Sequence, residues 1–232
     1  MFANIHSKIY NQKIRDRFMP MVYQHNINAS TKLGVWHIAE PEAFFLAMVP
    51  VQREISHPHK RLQHLAGRYL LKELFPGFPY DLIRIADTKK PFLENEAYHF
   101  SISHCGDYAA VIVSTQYRVG VDVELIAGKA EKVKHKFLSA IEQQLLEEVP
   151  YFPYSIFCEK LLTAAWSIKE SLFKWQGAAE VDFRKHLQIH ALSVNDNEGV
   201  AQCIIARDVE IDLPVNLLFF NKNCISWVVS HI

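Results

Sequence analysis

Alternating apolar and polar residues predict a series of short strands in the middle of the chain. The segments LIRIA, YHFSISH, YAAVIVS and RVGVDVELI each alternate with a period of two, and the turn-rich segments DTKKP and CGD lie between them. Short turns of this kind join neighbouring antiparallel strands. The pattern therefore predicts an antiparallel sheet, with the acidic segment RVGVDVELI, residues 118–126, as a central strand.

Helical periodicity predicts two long helices, one on each side of these strands. The first covers residues 58–75 and stops at PGFP, and the second covers residues 156–176 and stops at Gly177, a residue suited to a helix C-terminus. Shorter helices are predicted at PEAFFLAMV, with Pro41 in the first helical position, and at residues 129–138 and 139–149.

Alternating segments near the C-terminus, LQIHALSV, GVAQCIIAR, VNLLFF and CISWVVSHI, predict a second antiparallel sheet. Helices followed by antiparallel strands thus occur twice along the chain, and no low-complexity linker separates the two groups. We therefore expect an α+β fold of two halves, residues 1–117 and residues 118–232, that pack tightly against each other.

Composition and charge exclude several classes of function. Half of the 232 residues are hydrophobic, and 25 Lys and Arg residues balance 25 Asp and Glu residues, so net charge gives no support to nucleic-acid or membrane-surface binding. The four cysteines lack a CxxC spacing, which favours reduced thiols over a disulfide scaffold or a zinc ribbon. Because no apolar run matches a signal peptide or a membrane span, we expect a soluble, cytoplasmic protein.

Two acidic residues interrupt the strand RVGVDVELI. Asp122 and Glu124 are two residues apart, so their side chains share one face of the strand and lie about 7 Å apart along it. Carboxylates this close raise each other's pKa unless a lysine, an arginine or a divalent cation lies between them. The ordinary alternative is that they form the polar outer face of an amphipathic strand.

A third carboxylate comes from the second long helix, in the segment WSIKESLFKW. Glu170 and Lys174 are four residues apart and share one helix face. If the helix packs across the acidic strand, Glu170 joins the two strand carboxylates, and three carboxylates suit a hard cation such as Mg²⁺ or Mn²⁺. Lys169 and Lys174 would then neutralise substrate phosphates. An ordinary helical ion pair is the alternative.

Polar residues around the strand FSISH are candidates for binding an anion. Ser103 and His104 end this strand beside the turn CGD, where they are able to donate hydrogen bonds to phosphate oxygens. A nucleophilic Ser–His pair is disfavoured, because adjacent strand residues point to opposite faces. A packed or solvent-exposed histidine is the ordinary alternative. A group of basic residues lies in and before the first long helix: Arg53, Lys60, Arg61, Arg68 and Lys72. As a group they are candidates for binding an anion, and the ordinary alternative is a solvated helix face.

Four segments together carry a family resemblance: KP at residues 90–91, FSISH, GVDVE and WSIKESLFKW. Their order and spacing resemble the signature of the 4′-phosphopantetheinyl transferases, and the chain length resembles the monomeric, surfactin-synthetase-activating type. The resemblance implies a Mg²⁺-dependent enzyme, with Mn²⁺ as an alternative metal, that transfers phosphopantetheine from CoA to a serine of an apo acyl or peptidyl carrier protein. It also implies two similar α+β halves related by pseudo-twofold symmetry, with CoA bound between them.

The resemblance assigns roles to individual residues. The implied metal ligands are Asp122, Glu124 and Glu170. The residues implied to contact the CoA phosphates are Lys90, Ser103, His104, Lys169 and Lys174, and the two last-named lysines would also offset charge on the leaving phosphate. The candidates for the 3′-phosphate are Arg53, Arg61 and Arg68.

Glu142, in the segment LSAIEQQLL, has two alternative roles. It resembles the family position proposed to deprotonate the attacking serine. It also lies three residues after Ser139, which is the spacing of a capping box that stabilises a helix start. The sequence leaves both alternatives open, and they do not exclude each other.

Two other functions compete with transfer. A non-catalytic CoA-binding or nucleotide-binding module would keep the basic phosphate contacts and would not need three carboxylates. A metal-dependent phosphohydrolase would transfer the phosphoryl-linked group to water instead of to a protein.

Overall fold

The computed structural model describes residues 20–50, 54–149 and 154–231. The strands are β1 Met21–Asn26, β2 Thr31–His37, β3 Ile83–Ile85, β4 Pro91–Leu93, β5 His99–Cys105, β6 Tyr108–Ser114, β7 Arg118–Leu125, β8 Leu187–Val194, β9 Glu198–Ala206, β10 Glu210–Phe220 and β11 Asn223–Ser230. The helices are α1 Glu42–Leu46, α2 Pro58–Leu74, α3 Lys129–Phe137, α4 Ala140–Glu148 and α5 Tyr154–Gln176, and a 3₁₀ turn at Tyr80–Leu82 precedes β3.

The strands form two antiparallel sheets and one small hairpin. The strand order is β1-β2-β6-β5 in the four-stranded sheet and β7-β11-β10-β9-β8 in the five-stranded sheet, and β3 pairs with β4. The α+β class predicted from the sequence is therefore confirmed. The strands up to residue 114 and the strands from residue 118 onwards belong to different sheets. The division of the chain into two domains stays a prediction.

The acidic strand β7 lies at the edge of its sheet. It pairs with β11, the last strand of the chain, where Asp122 lies opposite Ser226. The prediction of a central strand among its sequence neighbours was therefore wrong, because turn signals indicate which strands are adjacent in sequence and do not identify their hydrogen-bonding partners. The other edge of β7 faces β5, from which Ser101 and Ser103 contact it through their side chains.

Three apolar clusters hold the helices and sheets together. Helix α2 covers one face of the four-stranded sheet with residues such as Leu65 and Leu70. Helix α5 covers one face of the five-stranded sheet with residues such as Ile168 and Leu172. The third cluster joins the remaining faces of the two sheets and includes Val35, Ile112, Val121, Val123 and Ile225. The layers therefore follow the order helix, sheet, sheet, helix.

Local sequence accounts for several helix ends. Pro58 begins α2, where its missing N–H is not needed, and Ser139 and Glu142 form a capping box at the start of α4. Helix α5 ends before Gly177, whose φ is +70°. Pro41 is the N-cap residue of α1. The prediction that it occupies the first helical position was therefore wrong by one residue. Across the described ranges, the helices fall short of the length and apolar character that a membrane span needs.

Candidate active site

Helix α5 crosses strand β7 at Gly120, and this crossing builds the site. A Cβ atom at Gly120 would overlap the backbone carbonyl oxygen of Ser171 and would lie 2.9 Å from the Cβ atom of Trp175. Glycine therefore allows the helix backbone to approach the strand this closely. The approach brings side chains of α5 over the carboxylates that follow Gly120 on β7.

Gly120→Ala is expected to damage both the fold and the site. Because the added methyl group meets backbone atoms, α5 has to move away from β7, and we expect a loss of about 1–3 kcal/mol in the free energy of unfolding. Urea unfolding followed by circular dichroism measures this loss. Gly77→Ala is the matched control, since a Cβ atom there meets nothing within 4 Å. Equal stability of Gly120→Ala and the wild type would show that the helix does not need this close approach.

Asp122 is almost completely buried, with 2% of its surface exposed. Ser103 Oγ donates a hydrogen bond of 2.8 Å to its Oδ1 atom, and Lys174 Nζ donates one of 2.6 Å to the same oxygen. The buried Oδ2 atom has no hydrogen-bond partner among the described residues. Because an unsatisfied buried acceptor costs free energy, this oxygen is well placed to accept a further positive group.

Glu124 is half-buried beside Asp122 and is held from two sides. Trp166 Nε1 on α5 donates a hydrogen bond of 3.0 Å to its Oε1 atom. The thiol of Cys105 on β5 donates one of 3.4 Å to its Oε2 atom. Burial raises the pKa of Glu124, and the charge of Asp122 raises it further. Neither donor was identified from the sequence, although Trp166 lies four residues before Glu170 and therefore on the same helix face.

Glu170 is electrostatically coupled to both strand carboxylates. Its pKa is raised to about 7, chiefly by burial and further by the charges of Asp122 and Glu124, while Lys174 opposes the increase. A positive charge among the three carboxylates relieves this repulsion. In the structure Lys174 supplies such a charge at Asp122.

The donor set of this cluster fits a hard divalent cation. All three acidic side chains are carboxylates, which Mg²⁺ and Mn²⁺ prefer, and the buried Oδ2 atom of Asp122 lacks a partner in the described part of the chain. Within the described ranges, no group of three or more His, Cys, Asp or Glu side chains is arranged so that it could hold a metal ion. Asp122 and Glu124 lie on β7, Glu170 lies on the helix that crosses it, and the role of these three residues as metal ligands stays a prediction.

Strand β5 turns its small polar side chains towards β7. Ser101 Oγ accepts a hydrogen bond of 3.1 Å from the N–H of Val121, and Ser103 Oγ bonds Asp122 and Lys174. Ser103 is therefore engaged within the protein, and its contact with a CoA phosphate stays a prediction. His104 projects to the opposite face of the strand from Ser103, as alternation requires.

CoA affinity is expected to depend on the protonation of His104. Although part of its side chain is exposed, desolvation lowers the pKa of its imidazole and the cations Lys174 and Lys60 lower it further, while a backbone hydrogen bond and the charge of Asp122 oppose the decrease. The imidazole is therefore neutral at pH 7, and a bound phosphate would favour its protonated form. We expect CoA to bind more tightly as the pH falls through this lowered pKa, and His104→Gln to lose that part of the pH dependence.

Calorimetric titration of CoA into the protein between about pH 5 and pH 8 tests this expectation. The phosphates of CoA titrate in the same range, so the relevant quantity is the difference between the wild type and His104→Gln. His59→Gln is a suitable control, because His59 pairs with Asp107 on the surface. If His104→Gln keeps the wild-type pH profile, His104 does not contact the phosphates.

Lys169 and Glu142 form a buried ion pair. Lys169 has no exposed surface, and its Nζ atom lies 2.6 Å from Glu142 Oε1. The same ammonium group donates hydrogen bonds to the backbone carbonyl oxygens of Phe137 and Phe183. Full burial of the ammonium group with three partners disfavours a contact between Lys169 and CoA, and that contact stays a prediction.

Glu142 forms the predicted capping box. Its Oε2 atom accepts a hydrogen bond from the N–H of Ser139, and Ser139 Oγ accepts one from the N–H of Glu142. The Oε1 atom accepts a further hydrogen bond from the N–H of Ile189 and faces Lys169. The cap alternative is confirmed. The general-base alternative stays a prediction, and burial of the carboxylate with its three partners, the N–H groups of Ser139 and Ile189 and the ammonium group of Lys169, disfavours it.

Two cations bind the carbonyl groups at the C-terminus of α5. Lys90 Nζ and Arg118 Nε both donate to the carbonyl oxygen of Trp175, at 3.3 and 2.8 Å, and Arg118 also donates to that of Gln176. Burial and the charge of Arg118 lower the pKa of Lys90 to about 8. Lys90 therefore stabilises the end of the helix that carries the site, and its contact with CoA stays a prediction.

Two of the three arginines suggested for the 3′-phosphate, Arg61 and Arg68, are paired or buried within the protein. Arg61 forms a two-pronged ion pair with Glu42 of α1, with N–O distances of 2.8 and 2.9 Å. Arg68 is 4% exposed and lies on the buried side of α2. Arg53 lies outside the described residues. Pairing of Arg61 and burial of Arg68 disfavour a contact with the 3′-phosphate, and that contact stays a prediction.

Comparison with known families agrees with this geometry. Residues 118–217 match the 4′-phosphopantetheinyl transferase superfamily. The matched range contains strand β7 and helix α5, and therefore all three carboxylates of the cluster. It also contains Trp166, which holds Glu124, and the buried pair of Glu142 and Lys169.

Individual proteins of known function are similar over part of the chain. Enterobactin synthase component D of Escherichia coli O157:H7 is 31% identical over 134 residues, which are 56% of this chain and 62% of that protein. The same component of Salmonella typhi is 32% identical over 125 residues, 50% of this chain and 47% of that protein. The L-aminoadipate-semialdehyde dehydrogenase-phosphopantetheinyl transferase of Rattus norvegicus is 26% identical over 125 residues. The chain thus spans less than two thirds of the length of these relatives.

Proposed function

We propose that this protein is a 4′-phosphopantetheinyl transferase of the monomeric, surfactin-synthetase-activating type. It would transfer the phosphopantetheine group of CoA to a serine of an apo acyl or peptidyl carrier protein in the cytoplasm. The observation that carries the proposal is that α5, which carries Glu170, crosses β7 and bonds both Asp122 and Glu124 through Lys174 and Trp166. This crossing lies within the residues that match the superfamily.

Asp122, Glu124 and Glu170 would hold a divalent cation, Mg²⁺ or Mn²⁺. The unpartnered Oδ2 atom of Asp122 and the raised pKa of Glu170 both support this assignment. When bound, the cation would supply positive charge to the phosphate oxygens of CoA and so favour displacement at phosphorus.

Lys174 is the side chain best placed to bind a phosphate of CoA. Its ammonium group lies at the carboxylate cluster and is 24% exposed, so an incoming phosphate is able to reach it. It donates to Ser103 and Asp122 in the structure, and a phosphate oxygen is an equivalent acceptor. In the reaction the same charge would stabilise the leaving bisphosphate. With Glu142 buried, solvent water is the simplest acceptor for the proton of the attacking serine.

One experiment distinguishes transfer from the two competing functions. The protein is incubated with CoA, Mg²⁺ and an apo carrier protein, and the intact mass of the carrier is measured. We expect the carrier to gain the mass of one phosphopantetheine group at one serine. CoA binding without a mass change would indicate a binding module. A phosphohydrolase would cleave CoA at the same rate whether or not the carrier protein is present.

A further inference from the structure

Both carboxylates on strand β7 are held by the same two neighbouring elements. From β5, Ser103 donates to Asp122 and Cys105 donates to Glu124, at 2.8 and 3.4 Å. From α5, Lys174 donates to Asp122 at 2.6 Å. The indole N–H of Trp166, on the same helix, donates to Glu124 at 3.0 Å. Each carboxylate therefore receives one donor from the strand beside it and one from the helix above it.

This arrangement follows from the periods of the two elements. Ser103 and Cys105 are two residues apart on β5, as are their acceptors on β7, so the donors match the acceptors along the two strands. On α5, Trp166 and Lys174 are eight residues apart, slightly more than two helical turns, and so lie on one face. Because of this regular spacing, a single packing arrangement of β5, β7 and α5 brings all four donors into hydrogen-bonding distance of the two carboxylates.

The two donors at Glu124 leave its carboxylate able to bind a cation. An ionised carboxylate has about four lone-pair positions, two on each oxygen. Trp166 occupies one at Oε1 and Cys105 occupies one at Oε2. One position on each oxygen therefore remains, while the plane of the carboxylate is fixed from both sides. A glutamate without these partners would have to give up side-chain freedom when it binds a metal.

We propose that Cys105 and Trp166 are positioning residues that hold Glu124 in the orientation required for divalent-cation binding. The inference rests on the proposed function, because that function supplies the cation. It assigns a role to two residues outside the predicted set of ligands. Donors that orient ligating carboxylates contribute about 10- to 100-fold to metal affinity. The thiol is the weaker donor, so we expect the lower end of this range for Cys105.

Mn²⁺ binding measured by electron paramagnetic resonance, with and without CoA, tests the proposal without relying on transfer. We expect the dissociation constant for Mn²⁺ to rise about 10-fold in Cys105→Ala and up to about 100-fold in Trp166→Phe. Cys105→Ser, which keeps a donor, should recover most of the affinity. In transfer assays, the KM for Mg²⁺ should rise in both variants while kcat at saturating Mg²⁺ stays near the wild-type value.

Matched controls exist for both substitutions. Cys158 is an exposed free cysteine, and Trp36 donates to a carboxylate oxygen of Glu40 at 3.1 Å in the other sheet. Cys158→Ala and Trp36→Phe should bind Mn²⁺ like the wild type. Trp166 also stacks on Phe183, so Trp166→Phe has a packing effect that melting temperatures will reveal. Cys105→Ala removes only a thiol and keeps the proposal testable if Trp166→Phe folds poorly.

The possible results separate this inference from the proposed function. Wild-type Mn²⁺ affinity in a folded Cys105→Ala variant would overturn the positioning role and leave transferase function intact. Weakened Mn²⁺ binding in a protein that does not modify any carrier would support the positioning role and contradict transfer. Failure of the wild type to bind Mn²⁺, with or without CoA, would overturn both.

Discussion

Transfer to an apo carrier protein is expected to fall by about 10³-fold in Glu170→Gln and in Asp122→Asn. Each change keeps the shape of the side chain and removes the negative charge that a divalent cation requires. The positive charge held there is worth several kcal/mol in the transition state, and each 1.4 kcal/mol corresponds to about 10-fold in rate. Single-turnover transfer at saturating Mg²⁺, followed by the mass of the carrier, measures the loss.

Stability measurements show whether such a loss reflects chemistry or folding. In the absence of metal, Glu170→Gln should be at least as stable as the wild type above about pH 7, because its carboxylate has a pKa raised to about 7 by burial and by Asp122 and Glu124. Glu131→Gln is the control, since Glu131 lies on the surface of α3 and pairs with Lys134. Unchanged transfer in both site variants would contradict the ligand assignment.

The carboxylate cluster was predictable because each of its parts follows a local period. Strand alternation places Asp122 and Glu124 on one face, and helical spacing places Glu170 and Lys174 on another. The sequence does not show that these two faces meet. That depends on the close approach at Gly120, which is visible only when the backbone of α5 lies against β7.

The residues whose predicted contacts with CoA the structure disfavours are those whose partners are distant in sequence. Lys169 is adjacent to Glu170, and one helical step of about 100° turns it away from β7 and towards Glu142, 27 residues earlier. Arg61 pairs with Glu42, which precedes it by 19 residues in another helix. Charge counts along one helix reveal that basic residues are present, but they do not reveal which acidic group each one meets in the folded chain.

The sheet around the site was only partly predictable for a similar reason. Alternation located β5, β6 and β7 closely, but β7 pairs with β11, which begins almost one hundred residues later. Shorter separations in sequence, 19 and 42 residues from Glu124, hide Cys105 and Trp166 in the same way. Nothing in the alternating pattern of either segment indicates that their side chains meet on the two oxygens of Glu124.

Glu142→Gln is expected to lower the free energy of unfolding by about 3–5 kcal/mol. The change leaves the ammonium group of Lys169 buried without its counter-charge, and an unpaired buried charge is strongly destabilising. Glu142→Gln keeps a hydrogen-bonding side chain at the start of α4, so the loss should exceed that of Ser139→Ala, which removes a cap worth about 1 kcal/mol. Urea unfolding measures both variants, with Glu147→Gln on the same helix as a control.

A second substitution and a rate measurement assign the role of Glu142. If the buried charge causes the loss, Lys169→Gln combined with Glu142→Gln should destabilise the protein by less than the sum of the two single changes. A residue that supports the fold should leave kcat within about 10-fold of the wild type at a temperature where the variant is folded, whereas a general base contributes about 10²- to 10⁴-fold. A fall of that size in Glu142→Gln, with stability unchanged, would mean that the pair with Lys169 opens during the reaction and that the carboxylate accepts the serine proton.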